Sequence, residues 1–588
     1  MSRTLHHRGP DKENFYLSAG AALIHTNLNI MDYKHRSQPM ILNLGEREYT
    51  IVFDGAIYNI EELRKKLKDK GHFFRGHSDT EVILRTYIEW DDECVSHLNG
   101  VFAFAIWEKN DARLFIARDR IGFKPLFYTT KGDTFLFGSE LKTILAHSLV
   151  DAKINVESIA EIMLIGPGRT PGFGVFCDIE ELPPAHCASY DSKNGLQLHQ
   201  YWQLQDEKHT DTFDQTVEKV RHLLLDSINN SLSSDVPVGA FLSGGLDSSI
   251  ISAVAAKHFK KLGKQLHTFS VDYKNNENFF KSSKFQPDSD QAFIQHMKEY
   301  LGPDIIHTQI LLETHQLLDT LYQAVDARDL PGMADIDASL LLFAAQAKKH
   351  VGVALSGEGA DEIFGGYPWF RDEKVREKGG FPWAQSTEFR NSFLKKDFAV
   401  DAKKYVDQHY KNTLEQVITL ENISPLERRM REMTQLNLQW FARTLLERKD
   451  RMTMYNSLEV RIPFCDHNII EYLYTVPWEM KDYKDREKGL LREAMKGLLP
   501  ETVLWRKKSP YPKTHNPDYL NAVSAKLKQV INDPTSPLLI FVDKEALENL
   551  LQTQNATPWY GQLMTTPQTI AYFLQINYWL QKYNIVIV

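Results

Sequence analysis

Two short apolar runs in this 588-residue chain each empty into a turn of small residues and carboxylates, and each turn opens onto a helical pattern. The first turn reads Phe241-Leu-Ser-Gly-Gly-Leu-Asp-Ser-Ser249. The second, Ser356-Gly-Glu-Gly-Ala-Asp-Glu-Ile-Phe-Gly-Gly-Tyr367, follows Val351-Gly-Val-Ala-Leu355. Strand and helix alternate around them. Apolar runs predict strands over 236–242, 266–271, 305–311 and 351–355. Periodicity near 3.6 predicts helices over 248–261, 288–300, 314–326 and 338–349. This alternation predicts an α/β fold, a doubly wound parallel sheet with helices on its faces. From about residue 375 the pattern is mostly helical, with no internal repeat.

The first turn has the chemistry of an anion site. Gly244 and Gly245 let the backbone turn sharply and approach a ligand closely. The following helix start offers free N–H groups and the positive end of its dipole. Ser243, Ser248 and Ser249 add hydroxyl donors. Asp247 alone would repel phosphate, so its presence points to a bridging Mg²⁺. No GxxxxGK[ST] occurs, which excludes the loop used for γ-phosphoryl transfer. By itself Ser-Gly-Gly would only cap a helix; a strand before, an acid within and a helix after argue for more. Three carboxylates in the second turn need water, a partner or a metal. In a doubly wound sheet both turns lie at the carboxyl ends of strands, where Asp247 and Asp361 can share Mg²⁺ with a pyrophosphate.

The first part of the chain reads differently. Strands are predicted at 49–53, 101–107 and 113–117, interrupted by helices near 60–70 and 80–90. Breakers at 165–172 and 182–184 precede a polar stretch at about 200–213, taken as a linker. Two domains are expected, 1–203 and 213–588. Hydrophobic residues at 43% and charged residues at 25% exclude disorder on the scale of the chain. The net charge of −8 argues against a general nucleic-acid binder. No apolar run approaches the roughly 20 residues that span a bilayer, and the start lacks a secretory pattern, so no membrane partner is expected. Cys94, Cys177, Cys187 and Cys465 form no CxxC pair, which suits a cytoplasmic protein.

Taken together, SGGLDSS and SGEGADEIFGGY resemble the synthetase domain of glutamine-dependent asparagine synthetases. So do Asp450-Arg-Met-Thr-Met-Tyr-Asn-Ser-Leu-Glu-Val-Arg-Ile-Pro-Phe464 and Glu487-Lys-Gly-Leu-Leu-Arg492. Earlier in the chain His7-Arg-Gly-Pro-Asp11, Ser78-Asp-Thr-Glu81 and Arg118-Asp-Arg-Ile-Gly-Phe-Lys-Pro125 fit too. The resemblance implies an N-terminal Ntn-type αββα glutaminase-like domain and a PP-loop domain with a helical C-terminal part. It implies an ATP-dependent ligase in which aspartate attacks the α-phosphate, pyrophosphate leaves, and ammonia displaces AMP. Leu242, Val271, Ser356 and Gly357 match positions lining the ATP site. Glu358 matches a residue needed for adenylate formation and for ammonia's proton. Lys488 matches the lysine that stabilises charge at phosphate and acyl carbon, although on periodicity it falls in an amphipathic helix. Asp450 and Arg451 are site or scaffold residues; Glu459 and Arg461 are expected to be scaffold ion pairs.

Several positions depart from the family. Its N-terminal Cys nucleophile does not appear, residue 2 being Ser, and the opening residues resemble an internal stretch of the family's first domain, as a lost leading strand or a wrongly chosen start codon would give. The arginine that holds the glutamine carboxylate is replaced by Asn27. An oxyanion-hole amide is replaced by Asp54, which is anionic at pH 7, and a substrate-binding carboxylate by Ala56. From that pocket only Gly55 and Asp79 remain, as vestigial glutamine-binding residues. The first domain is therefore expected to be a decayed glutaminase, with nitrogen taken from ammonia and not glutamine. In the second half Met333-Ala-Asp-Ile-Asp-Ala-Ser339 is acidic where an arginine is wanted for aspartate. This keeps amidation or cyclisation of another carboxylate as an alternative, beside a non-catalytic partner of a complete homologue. The intact loops weigh against the latter. A homodimer is left open.

Overall fold

The computed structural model describes residues 1–31, 37–279, 289–553, 557–561 and 563–588. The second half is built on a five-stranded parallel sheet. Its order is Ile305–Leu312, Leu266–Tyr273, Val238–Phe241, Val353–Leu355, Glu459–Arg461. Ala240 pairs with Thr268 on one side and with Leu355 on the other. The winding reverses at this central strand. The second and third strands lie to one side of it, the fourth and fifth to the other. Loops leaving neighbouring strands at such a reversal diverge to opposite faces and open a crevice between them. Here those neighbours are Val238–Phe241 and Val353–Leu355, the two strands that feed the small-residue turns.

Successive residues of the central strand point to opposite faces. Phe241 packs in one core with Phe269, Leu340 and Ala344. Ala240 and Leu242 pack in another with Ile250, Val254 and Leu355. The covering helices are Leu246–Lys261, Asp290–Leu301, Thr314–Arg328 and Asp335–Ala347. Residue 288, where periodicity begins the second of these, lies outside the described residues. The fourth begins earlier than periodicity predicts, with Asp337 in its first turn accepting the Met333 N–H at 2.8 Å. Beyond these the chain is mainly helical and closes with Thr566–Lys582, which buries Tyr572, Phe573, Ile576 and Trp579.

The first half holds a six-stranded antiparallel sheet. Its order is Gly195–Gln200, His186–Asp191, Arg113–Arg118, Gly100–Glu108, Arg47–Ile57, Met40–Leu44. Phe102, Phe104 and Ile106 face the helices Ile60–Asp69 and Asp79–Trp90 through Leu63, Leu67, Val82 and Ile83. The alternate residues Ala103, Ala105 and Trp107 face Tyr16, Leu23, Leu126 and Tyr128, which belong to or adjoin a two-stranded and a three-stranded sheet. The short helices Leu141–Leu145 and Val156–Ala160 lie beyond, in one core with Phe127 and Leu136. Residues 201–212 form neither helix nor strand. A capping box between Thr212 and Gln215 then starts the helix Phe213–Asn230. Among the described residues no helix is long and apolar enough to cross a membrane.

Candidate active site

The first turn is held open by its own hydroxyls. The Leu242 N–H donates to Phe269 O at 2.7 Å, so the chain is still paired to the sheet as the turn begins. Gly244 has φ +67°, and a Cβ there would lie 2.8 Å from Phe293 Cβ and 2.7 Å from Ile294 N. Only glycine fits this position. Ser243 Oγ lies 3.0 Å from Ser248 Oγ and accepts the Gly245 N–H at 3.3 Å. The helix Leu246–Lys261 starts with no side-chain cap, leaving first-turn N–H groups available to an anion.

The second turn lies directly on the first. A Cβ on Gly357 would come 3.0 Å from Asp247 Cβ. Lys488 sits between the acids of the two turns, its Nζ 2.6 Å from Asp247 Oδ2 and 2.5 Å from Asp361 Oδ1. Lys508 reaches the other Asp361 oxygen. Burial pulls the Lys488 ammonium down, but the two carboxylates outweigh it and hold its pKa above the usual lysine range. Burial pushes Asp247 up, and Lys488 only partly offsets this. The same burial acts on Asp361, where Lys488 and Lys508 together win and hold it down to about 2.

The structure corrects the placement of Lys488. It is not on the face of an amphipathic helix but precedes the helix Gly489–Ala494, at a left-handed φ of +54° and 3% exposed. Such a conformation costs a non-glycine residue about 1–3 kcal/mol, and it turns a lysine inward.

Glu358 completes the arrangement. Its Oε1 lies 2.7 Å from Lys449 Nζ, while its Oε2 is buried without a hydrogen-bond partner. Burial pushes this carboxyl up, Lys449 with help from the Ser356 hydroxyl outweighs it, and the net pKa is lowered. A cavity of about 270 Å³ joins these groups. Its wall includes Leu242, Ser243, Gly245, Asp247, Ser248, Val271, Ser356, Gly357, Glu358, Asp361 and Lys488. Gly244 and Ser249 are not on it. For Gly244 the role is the turn itself. For Ser249 the expected hydroxyl donor must be corrected. It is 0% exposed, one step further into the helix, and faces the packing side.

Residues that sequence reasoning missed stand on the same wall. Arg448 and Lys449 immediately precede the motif that begins at Asp450, and Arg506-Lys507-Lys508 is a basic run in an unpatterned stretch. Three cations in a row after a helical segment were the available signal. The acidic segment at 333–339 is also explained. Asp337 accepts the Met333 N–H at 2.8 Å and pairs with Arg448 Nε at 2.9 Å, so an arginine from another helix faces this acidic segment. Arg461 pairs with Glu459 at 2.8 Å and donates to Ser231 O and Ser233 O, as scaffold.

The other half has a larger cavity, of about 690 Å³, walled partly by Asn27, Asp54 and Gly55. Asp79 is not on that wall. It is buried at the start of its own helix, so the structure does not bring the two vestigial residues together at this cavity. Asn27 spends its amide on Asn29 Oδ1 at 2.5 Å. Asp54 pairs with Arg8 at 2.8 Å and Lys124 at 3.4 Å, and both cations also reach Asp450, at 2.9 and 3.1 Å. Burial alone would raise the Asp54 pKa. Lys124 and Arg8 outweigh it and hold the carboxylate far below its usual range. The charge of Asp54 is thus compensated, and what the position lacks is a donor. Asp450 and Arg451 are part of this buried charge network, Arg451 pairing with Glu140 at 3.2 Å and Asp329 at 2.6 Å.

Comparison with known proteins matches two families to this chain. Residues 219–581 match the asparagine synthase family and residues 1–202 the glutamine amidotransferase domain. The chain is 47% identical to asparagine synthetase (glutamine-hydrolyzing) 3 of Bacillus subtilis (strain 168), over 100% of this chain and 95% of that relative. It is 32% identical to asparagine synthetase (glutamine-hydrolyzing) 1 of the same organism, over 87% of this chain and 83% of the relative. A more distant relative, amidase chry2 of Gibberella zeae, is 26% identical over 93% of this chain and 89% of its own length. With two loops meeting at the sheet's reversal and a family match across that whole half, this chain belongs to the asparagine synthase family.

Proposed function

We propose that this chain makes asparagine from aspartate and ammonia, cleaving ATP to AMP and pyrophosphate. The observation that carries the reading is the contact between the two turns, with Lys488 between Asp247 and Asp361 and a free Glu358 oxygen in the same cavity. The polyphosphate of ATP lies against the uncapped helix start and the Ser243 and Ser248 hydroxyls. An aspartate side-chain oxygen attacks the α-phosphorus, and the bond to pyrophosphate breaks. Lys488 stabilises the charge that develops on the phosphate oxygens. Ammonia then attacks the acyl carbon, Glu358 takes the proton that nitrogen must lose, and AMP departs with the bonding pair.

Asp247 would hold Mg²⁺ through its free Oδ1, and Asp361 would join it in exchange for its contacts with Lys488 and Lys508. Both are hard oxygen donors, and Asp247 Oδ1 is buried without a partner. The ion, when bound there, would shield the charge of pyrophosphate. Arg448, held by Asp337, supplies the cation that aspartate needs and so favours aspartate over another acceptor. Ammonia is favoured as nitrogen source by Asp54, which offers no donor to an oxyanion, and by Asn27, which carries no charge for a glutamine carboxylate. In this reading residues 1–203 form a glutaminase-like unit and 213–588 the ligase. The chain works in the cytoplasm, a compartment that suits its four free cysteines.

ATP–pyrophosphate exchange measured over a panel of carboxylic acids tests the proposal. Aspartate should drive exchange, and succinate or glutamate should not. Exchange driven by another acid and not by aspartate would reassign the acceptor.

A further inference from the structure

Four consecutive residues of the helix Arg443–Met454 each meet an opposite charge on a different element. Arg448 pairs with Asp337, Lys449 with Glu358, Asp450 with Arg8 and Lys124, and Arg451 with Glu140 and Asp329. The contacts of Asp450 and Arg451 tie scaffold to scaffold, and Asp337, the partner of Arg448, lies off the cavity wall. The contact of Lys449 is the exception, because its partner is the carboxylate that faces the reaction.

Lys449 is itself fixed. It is 3% exposed, and its Nζ lies 5.0 Å from the centre of the Phe241 ring at the end of the central strand. A cation over an aromatic face is attracted to it, and the attraction is larger where water is excluded. Burying a lysine alone would be costly, so the ammonium depends on Glu358 for its counter-charge. Glu358 depends on Lys449 in return. Among the described residues Lys449 forms its one ion pair, and it engages a single oxygen, Oε1. The other, Oε2, is buried, has no hydrogen-bond partner and belongs to a residue on the cavity wall.

We propose that Lys449 is a positioning residue for Glu358, holding the carboxylate by one oxygen so that the other stands ready to take the proton lost by ammonia. The inference rests on the proposed reading of the cavity. Lys449 stands on the cavity wall, but its ammonium is spent on Glu358 Oε1, and it acts through that carboxylate. It fixes the rotamer of Glu358 and keeps it anionic until the proton arrives. The proton passes from nitrogen to Oε2 as the C–N bond forms, and the ammonium of Lys449 keeps its own protons throughout.

The test compares the full-length enzyme with Lys449→Met and Lys449→Arg in ammonia-dependent amide formation, alongside ATP titration and thermal unfolding. A positioned general base contributes about 10²–10⁴ in rate. Lys449→Met should lower kcat by about a hundredfold while the KM for ATP stays within about threefold. Lys449→Arg keeps the charge and should recover at least about tenfold of that loss. A purely structural role would move ATP binding together with kcat and would not separate Met from Arg. If Lys449→Met retains more than about a third of kcat, or if Arg is no better than Met, the proposal is overturned. Should Lys449→Met be insoluble, Lys449→Arg decides alone. It should keep more than about a tenth of kcat, and a loss beyond about a hundredfold would contradict the role. If the unmodified enzyme forms no amide from aspartate, the reading of the cavity fails first, and is seen to fail separately.

Discussion

Arg8 Nη1 lies 2.9 Å from Asp450 Oδ2, joining the start of the chain to the helix that carries Lys449. Both side chains are buried, at 5% and 1% exposure. Lys124 approaches Asp450 from the first half as well, and Arg8 and Lys124 both reach Asp54. The cavity of the first half and the helix beside the ligase cavity therefore share one charge network. Removing one member of such a set leaves uncompensated buried charge, which costs about 3–5 kcal/mol. Arg8→Met is expected to lower the unfolding free energy by that amount, read from urea transitions, with Arg8→Lys losing less. A loss under about 1 kcal/mol would mean that water already compensates these carboxylates.

Acid should act on the same network. Asp54 is held well below its unfolded value, so its contribution is present above the usual carboxylate range and is lost as pH falls beneath it. Asp54→Asn should flatten the decline in stability below about pH 4.

Asp335 behaves in the opposite sense. Burial pushes its carboxyl up to about 6, with Gln568 opposing weakly. Its folded pKa lies above the unfolded value of about 3.9, so stability falls as pH rises from about 4 to about 6 and then levels off. Asp335→Asn should be more stable than the parent at pH 7, by on the order of 1–3 kcal/mol, and equal to it near pH 4. Urea unfolding at the two pH values decides this. A difference independent of pH would show that Asp335 folds as the anion.

Glu358→Gln keeps the size of the side chain and loses the charge that faces Lys449. Ser356 and Gly357 remain to bind nucleotide. ATP affinity should stay within about tenfold, about 1.4 kcal/mol, while adenylate formation is lost. Adenylate formation at the parent rate would remove Glu358 from that step and confine it to the proton transfer from ammonia.

Nitrogen use is predicted from the other cavity. With Asp54 in place of a donor and Asn27 in place of an arginine, glutamate release from glutamine should be at least about a hundredfold slower than amide formation from ammonium chloride. Equal rates would mean that other groups of this cavity stabilise the oxyanion.

Much of the ligase half was legible in the sequence, because most of its strands are short apolar runs, Val238–Phe241 and Val353–Leu355 being buried throughout, and its loops are built of residues that little else explains. The runs at 266–271 and 305–311 predict Leu266–Tyr273 and Ile305–Leu312 almost to the residue. The first half was less legible. The edge strand Gly195–Gln200 is largely exposed and offers only two apolar residues, Leu196 and Leu198, and the hairpin Lys12–Leu17 with Ala22–Asn27 buries only a few side chains. At the site, the two turns announce themselves through glycine. Lys488 does not, since the left-handed backbone that turns it inward has no composition signal. Lys449 and Arg448 were invisible for a related reason. A lysine or arginine in a helix is ordinarily a surface residue, and only the partners Glu358 and Asp337, about a hundred positions away, make these two internal.

The central claim is that an aspartate oxygen bonds to the α-phosphorus of ATP at the meeting of the two turns. Aspartate labelled with ¹⁸O in its side-chain carboxylate, turned over with ATP and ammonia, tests it directly by mass spectrometry of the nucleotide product. One ¹⁸O should appear in AMP, with pyrophosphate formed in equal amount and unlabelled. Label in inorganic phosphate together with ADP, or AMP free of label, would contradict the account.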